Sequence, residues 1–245
     1  MKRAENNEEF TLFDPAEIRT LTGRSLEDTF GDEFEKFYLE CENNPKIKLR
    51  ETVKAKDIFK KFMKTTVETG MPYVFYRDTV NKLNPNKHAG NVYSTQLCVE
   101  ICQNTSPAKF VEETLEDGKI VIKYDPGDAV VCNLASINMA KVHSDAEIAQ
   151  VTPVAMRVLD NVIDLNFYPI KEAEVTSKKY RSVGLGFLGL AEHLATSQLN
   201  YDSAEARAYV DTLMEKFAYQ TLKSSNELAK EKGTYDVYEG SEWSK

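Results

Sequence analysis

The residues best suited to chemistry fall in one short run, Ser94-Thr95-Gln96-Leu97-Cys98-Val99-Glu100-Ile101. An extended backbone sends alternate side chains to opposite faces, so Gln96, Cys98 and Glu100 would share one face and Leu97, Val99 and Ile101 the other. A thiol, an amide and a carboxylate would then project together from a segment anchored by apolar packing. The same alternation also describes an ordinary half-buried strand whose polar residues face water, and the pattern alone leaves both readings open. Cys98 and Cys102 have a spacing that would suit metal ligands, but no second cysteine pair or nearby histidine completes a tetrahedral set. His88 and His143 lie in loop-like contexts and His193 in a helical one, where ordinary surface or capping roles are expected.

A second run, Gly184-Leu185-Gly186-Phe187-Leu188-Gly189, matches the dinucleotide-binding glycine pattern. That pattern needs a buried strand immediately before it and an acidic residue about twenty positions later for the ribose. The preceding Ser177-Lys178-Lys179-Tyr180-Arg181-Ser182 is no buried strand, and Glu205 is better explained by a helix cap. Glycines that permit close packing are the favoured explanation.

The elements that must position these residues can be traced along the chain. Phe30, Phe34, Phe37, Tyr38 and Cys41 recur at helical spacing and place Cys41 in a helix core. Ala55, Ile58, Phe59, Phe62 and Met63 repeat the pattern, with Gly70 as a left-handed stop before a strand-like Tyr73–Tyr76. Loop signals crowd residues 81–90, Asn91–Ile101 reads as extended, and Lys119–Tyr124 reads as a strand. Ser144 with Glu147 forms a capping box for a helix running toward Asn166, and Asp202 with Glu205 another for a long helix that Gly233 ends. Strands alternating with helices favour an α/β domain, with periodicity unable to choose between an open sheet and a barrel.

With 245 residues, the chain is expected to form a single domain, residues 1–10 being a poorly ordered N-terminus. Its 31 basic and 39 acidic residues give a net charge of −8, and no Lys/Arg block is long enough to track phosphates, so direct nucleic-acid binding is not expected. No apolar run approaches a bilayer span, and four cysteines (Cys41, Cys98, Cys102, Cys132) form no dense disulfide framework. A protein of the reducing cytoplasm, with no membrane association, is expected.

From about Thr11 onward the chain resembles the large, catalytic subunit of class I ribonucleotide reductases. Gln96-Leu97-Cys98-Val99-Glu100-Ile101 is similar to the Asn-Leu-Cys-x-Glu-Ile motif on that family's finger loop, and Cys132-Asn133-Leu134-Ala135-Ser136 to its second motif, which carries a redox cysteine. Glu68-Thr69-Gly70-Met71-Pro72-Tyr73, Val183 through Ala191, and Asn226-Glu227-Leu228-Ala229-Lys230-Glu231 agree in order. The resemblance implies part of a ten-stranded α/β barrel whose central finger loop holds its cysteine away from water. It also implies that the glycine run opens a helix and binds no dinucleotide.

The chemistry implied by the resemblance is radical reduction of a ribonucleoside diphosphate. Cys98 would become a thiyl radical and take a hydrogen atom from C3′, Glu100 would act as general base on the 3′-hydroxyl, and the 2′-hydroxyl would leave as water. Gln96 would orient substrate hydroxyls, and Cys132 would supply part of the redox-active dithiol. No cofactor or metal would be bound by this chain: the radical would come from a metal-containing small (beta) subunit, and ATP or dNTP effectors would bind in other segments. Thioredoxin or glutaredoxin would re-reduce the enzyme, and the full-length subunit would form a homodimer.

Two departures accompany the resemblance. Gln96 stands where the family usually has Asn, one methylene shorter, and neither Cys41 nor Cys102 matches the earlier-strand cysteine that would pair with Cys132. Cys98 and Cys132 are expected not to bridge. The allosteric sites, the phosphate-binding loop, the relay tyrosines and the C-terminal cysteines are not recognisable, so the chain reads as a central barrel fragment, inactive alone. A catalytically silent remnant with a binding or regulatory role is the alternative.

Overall fold

The computed structural model describes residues 1–245, which divide into two compact units, Met1–Thr105 and Ser106–Lys245, where the sequence reading expects one domain. Helices and strands are mixed in both, as the α/β reading requires, and the six strands occur as three separate pairs.

In the first unit α1 (Lys2–Glu5) leads into β1 (Glu9–Phe13), which pairs antiparallel with β2 (Arg50–Lys54). The opening residues, expected as a poorly ordered tail, are therefore folded. The cause is a set of partners distant in sequence. Arg3 binds Glu42 through two bonds of 2.8 and 2.7 Å, and the Tyr38 hydroxyl accepts the Thr11 N–H and donates to the Thr11 carbonyl. Glu42 and Tyr38 lie on α3 (Gly31–Glu42). Its apolar stripe buries Phe37 and Cys41 with Ile47 and with Ile18 of α2 (Pro15–Thr22), which gives Cys41 the helix-core position its spacing implies. Asp14 caps α2 by accepting the Glu17 N–H.

Next comes α4 (Ala55–Thr69), stopped by Gly70 at φ 74°, and then α5 (Arg77–Leu83). The strand expected at Tyr73–Tyr76 does not form. The only sheet of this unit is the β1–β2 pair, so these residues have no ladder to join, and Tyr73, Val74 and Tyr76 remain exposed.

The second unit opens with a hairpin of β3 (Lys109–Glu116) and β4 (Lys119–Asp125). Asp117 and Gly118, at φ 49° and 72°, make its two-residue turn, the geometry that suits the right-handed twist of paired strands. The chain then passes through β5 (Leu134–Asn138), α6 (Asp145–Leu165), α7 (Lys171–Tyr180), β6 (Gly184–Leu188), α8 (Leu190–Thr196) and α9 (Ala204–Lys232). β5 and β6 pair in parallel, which the intervening helical crossover makes possible. Ser144 caps α6 by accepting the Glu147 N–H, as its sequence implies, while Glu147 reaches back to the His143 N–H.

α9 begins one residue later than Asp202 would place it: Ser203 is the cap and accepts the Ala206 N–H. Gly233 follows its last residue. Ile137, Met139, Ile148, Leu213 and Phe217 form the core of this unit, joining β5, α6 and α9. Asp145–Lys216 and Arg157–Glu231 ion pairs run along α6 and α9, which therefore lie side by side in the same direction.

Candidate active site

The segment carrying Gln96, Cys98 and Glu100 is a tight loop and not the strand its alternation suggests. The Gln96 carbonyl accepts the Val99 N–H at 3.1 Å, so Leu97 and Cys98 occupy the centre of a turn. Val99 follows at φ 72°, a left-handed conformation that costs a β-branched residue energy. The Gln96 Oε1 then accepts the Ile101 N–H at 2.8 Å, closing a second ring around the same residues.

This geometry replaces the two-faced arrangement. Leu97, expected to anchor the segment, is 80% exposed, and Cys98 and Glu100 are exposed beside it. Gln96 turns inward: its Nε2 is buried and has no hydrogen-bond partner. In place of a thiol held away from water, this unit presents Cys98 at its surface. A strand reading fails for a physical reason. Alternation describes a ladder member, and no strand of the first unit lies beside residues 94–101.

What positions the loop is a set of buried asparagines on both sides of it. Asn81, on α5 and 1% exposed, donates from Nδ2 to the Val92 carbonyl and accepts the Val92 N–H at Oδ1, both at 2.9 Å. The Asn84 Nδ2 donates to the Asn104 Oδ1 at 2.7 Å, the Asn84 Oδ1 accepts the Asn86 N–H at 3.0 Å, and the Asn104 Nδ2 donates to the Asn86 carbonyl at 2.9 Å. The Thr105 N–H completes the clamp on the Asn91 carbonyl. Val92 and Asn104 thus fix the two stems, and Tyr93 is tied to Asp28 by a 2.8 Å bond. Sequence reasoning took residues 81–90 only as a loop. The signal it passed over is the density of asparagine, whose amide both donates and accepts and so can stand in for a strand partner.

Cys132 belongs to the second unit, two residues before β5, and is exposed. The next residue fixes it: the Asn133 side chain donates to the Leu159 carbonyl of α6, and its own carbonyl accepts the Gly184 N–H, both at 2.9 Å. Upstream, the Ala129 N–H donates to the Thr176 hydroxyl, and Asp128 takes bonds of 2.8 Å from both Lys179 and Tyr180. All four cysteines are free thiols, so Cys98 and Cys132 are not bridged. Desolvation pushes the Cys41 and Cys102 thiols above the ordinary range, in Cys102 despite the exposure of the residue as a whole.

The glycine run has a packing explanation. Gly184 and Gly186 lie in β6, where a Cβ on Gly184 would come within 2.4 Å of Leu134 Cδ2 on β5. Gly189, at φ 76°, precedes α8, and a Cβ there would meet Asn138 Oδ1 at 2.4 Å. His193 is buried, against the surface or capping role expected for it, with Nδ1 against the Met139 carbonyl and Nε2 against the Tyr209 hydroxyl. No group of three or more His, Cys, Asp or Glu is placed to hold a metal ion, and no helix is long and apolar enough to cross a membrane.

Residues 1–245 match throughout the family described as ribonucleotide reductase, barrel domain. The chain belongs to that family. Its similarity to ribonucleotide reductases extends over whole-chain alignments. It is 39% identical to the ribonucleoside-diphosphate reductase subunit alpha of Helicobacter pylori, an alignment covering 100% of the chain and 35% of the relative. It is 41% identical to the subunit alpha of Treponema pallidum over 95% of the chain and 28% of the relative, and 33% identical to the large subunit of Caenorhabditis elegans over 100% and 29%. The chain spans about a third of the length of the ribonucleotide reductase subunits it matches.

Proposed function

We propose that the chain provides the radical-bearing segment of a ribonucleoside-diphosphate reductase, with Cys98 as the residue that becomes a thiyl radical. The observation that supports this most is the Cys98 loop itself: a thiol and a carboxylate, Glu100, presented within one short loop closed by Gln96 and Ile101, whose stems are pinned by buried asparagines. A rigid mounting matters, because displacing a reacting group by about 1 Å can lower a rate on the order of a hundredfold.

In this reading the Cys98 radical takes the hydrogen atom from C3′ of a ribonucleoside diphosphate and returns it after the 2′-hydroxyl has left as water. Glu100 accepts the 3′-hydroxyl proton as general base. Cys132 belongs to the dithiol whose two electrons reduce the substrate, leaving a disulfide for thioredoxin or glutaredoxin to reduce. The radical comes from a metal-containing small subunit, and nucleotide effectors act through other parts of the alpha subunit. A reducing cytoplasm would keep Cys41, Cys98, Cys102 and Cys132 as the free thiols found here.

The test replaces the matching segment of the Helicobacter pylori alpha subunit by residues 1–245 and adds the small subunit and a dithiol reductant. Deoxynucleoside diphosphate formation is then followed. The chimera should turn over, and Cys98→Ser should abolish activity by about a thousandfold or more, the scale seen when an indispensable reacting group is removed. A serine O–H bond is too strong for the relay. Undiminished turnover by the Cys98→Ser chimera would refute the assignment.

A further inference from the structure

We infer that Gln96 is a positioning residue whose Oε1 holds the Cys98–Glu100 loop through the Ile101 N–H. Two observations carry this. The Oε1 is already occupied by the Ile101 N–H at 2.8 Å, and the buried Nε2 has no partner. An amide with both ends free could accept from one hydroxyl and donate to another. Here one lone pair of the acceptor end is engaged by the backbone, which fixes the orientation of the amide relative to residues 97–101.

The length of the side chain is what makes this possible. The Gln96 carbonyl takes the Val99 N–H, and the side chain bridges two residues further to Ile101. Asparagine on the same backbone is one methylene shorter and would fall short of the Ile101 N–H by roughly the length of a C–C bond, about 1.5 Å. Gln96 therefore does to residues 97–101 what the buried asparagines do to the stems. The loop's hold on Cys98 and Glu100 is built into the residue at position 96.

The kinetic part of this inference rests on the proposed role of Cys98, whereas the hydrogen-exchange part does not. Three variants separate the two ends of the amide: Gln96→Glu keeps an acceptor and loses the donor, Gln96→Met keeps the length and loses both, and Gln96→Asn keeps both and loses the reach. Amide exchange of Ile101 is measured in the 245-residue chain by NMR, with Val92 and Thr105 as reference amides on the stems. Ile101 should exchange about tenfold or more faster in Gln96→Met and Gln96→Asn, as expected when a local hydrogen bond worth roughly 1.5 kcal/mol is lost, and stay near the wild-type rate in Gln96→Glu. Val92 and Thr105 should be unchanged in all three.

In the reductase chimera, Gln96→Met should lower kcat by about tenfold or more while KM moves less than about threefold, the mark of lost alignment and not of lost binding. Unchanged Ile101 exchange in Gln96→Met would overturn the inference, as would exchange in Gln96→Glu as fast as in Gln96→Met. The expected exchange pattern in a chimera that never turns over would uphold the loop-holding role and count against the reductase reading alone.

Discussion

Asn81 and Val92 bond to each other twice, side-chain amide to backbone peptide, at 2.9 Å in each direction. The arrangement copies the reciprocal pairing of two strands with a single residue. Because Asn81 is 1% exposed, removing its amide leaves both Val92 backbone groups without protein partners in a place water does not readily reach. Asn81→Ala should destabilise the first unit by about 2–3 kcal/mol, the usual cost of unsatisfied buried polar groups. Urea unfolding checks this. A loss below about 0.5 kcal/mol would show that solvent replaces the amide and that the stem is not clamped as described.

Gly189 offers a sharper test of the glycine run. Its φ of 76° is unfavourable for any residue with a Cβ, and that Cβ would sit 2.4 Å from Asn138 Oδ1 and 3.1 Å from the Ala140 backbone nitrogen. Gly189→Ala should therefore cost about 2 kcal/mol or more, combining left-handed strain with overpacking. Gly184→Ala should cost less, since the atom it meets, Leu134 Cδ2, ends a flexible side chain. Thermal unfolding of the two variants should give that order; the reverse order would contradict the packing account.

How far the sequence was legible follows from what each feature depends on. Ser144 with Glu147, Gly70 and Gly233 mark helix ends through local chemistry, and all three act as helix boundaries here. Asp202 and Ser203 stand side by side and either could cap α9, so the choice between them depends on backbone conformation that residue type does not encode. The Cys98 run carries the alternation of a strand, but strand formation requires a neighbour, and alternation says nothing about whether one exists. Its closure depends on the Gln96 side chain reaching a peptide five residues on. The charged N-terminus reads as a solvated tail because its partner, Glu42, lies 39 residues away from Arg3.

That Arg3–Glu42 pair predicts a pH dependence. The two Arg3 bonds hold the Glu42 carboxyl below the usual carboxylate range, and the Thr11 hydroxyl assists. Since the folded-state pKa is the lower one, the pair's contribution is fully present above the ordinary carboxylate pKa and is lost as pH falls through the lowered value. Glu42→Gln should therefore lower stability by about 1–2 kcal/mol at neutral pH, as for a partly buried charge-assisted pair, and flatten the loss of stability on acidification. Denaturant midpoints measured from pH 7 down to the acid transition in both proteins test the sign. A difference that grows as the pH falls would show that Glu42 is not the depressed carboxyl.

The four thiols should be distinguishable by reactivity. Cys41 is 1% exposed within α3, whereas Cys98, Cys102 and Cys132 are exposed. Brief treatment of the folded chain with iodoacetamide, followed by mass spectrometry of its peptides, should label those three. Cys41 should react at least about a hundredfold more slowly, since its labelling waits on an opening that costs a few kcal/mol. Urea should abolish that protection. Cys102 carries a second signature: desolvation raises its thiol pKa, so its labelling should continue to accelerate at pH values where an ordinary exposed thiol has levelled off. Cys98 is the decisive site. It occupies the centre of the Leu97–Cys98 turn, beside a leucine that is 80% exposed, so it should label as readily as an exposed thiol in the 245-residue chain. Protection of Cys98 comparable to that of Cys41 would mean that the turn faces inward, and the loop geometry on which the site rests would have to be abandoned.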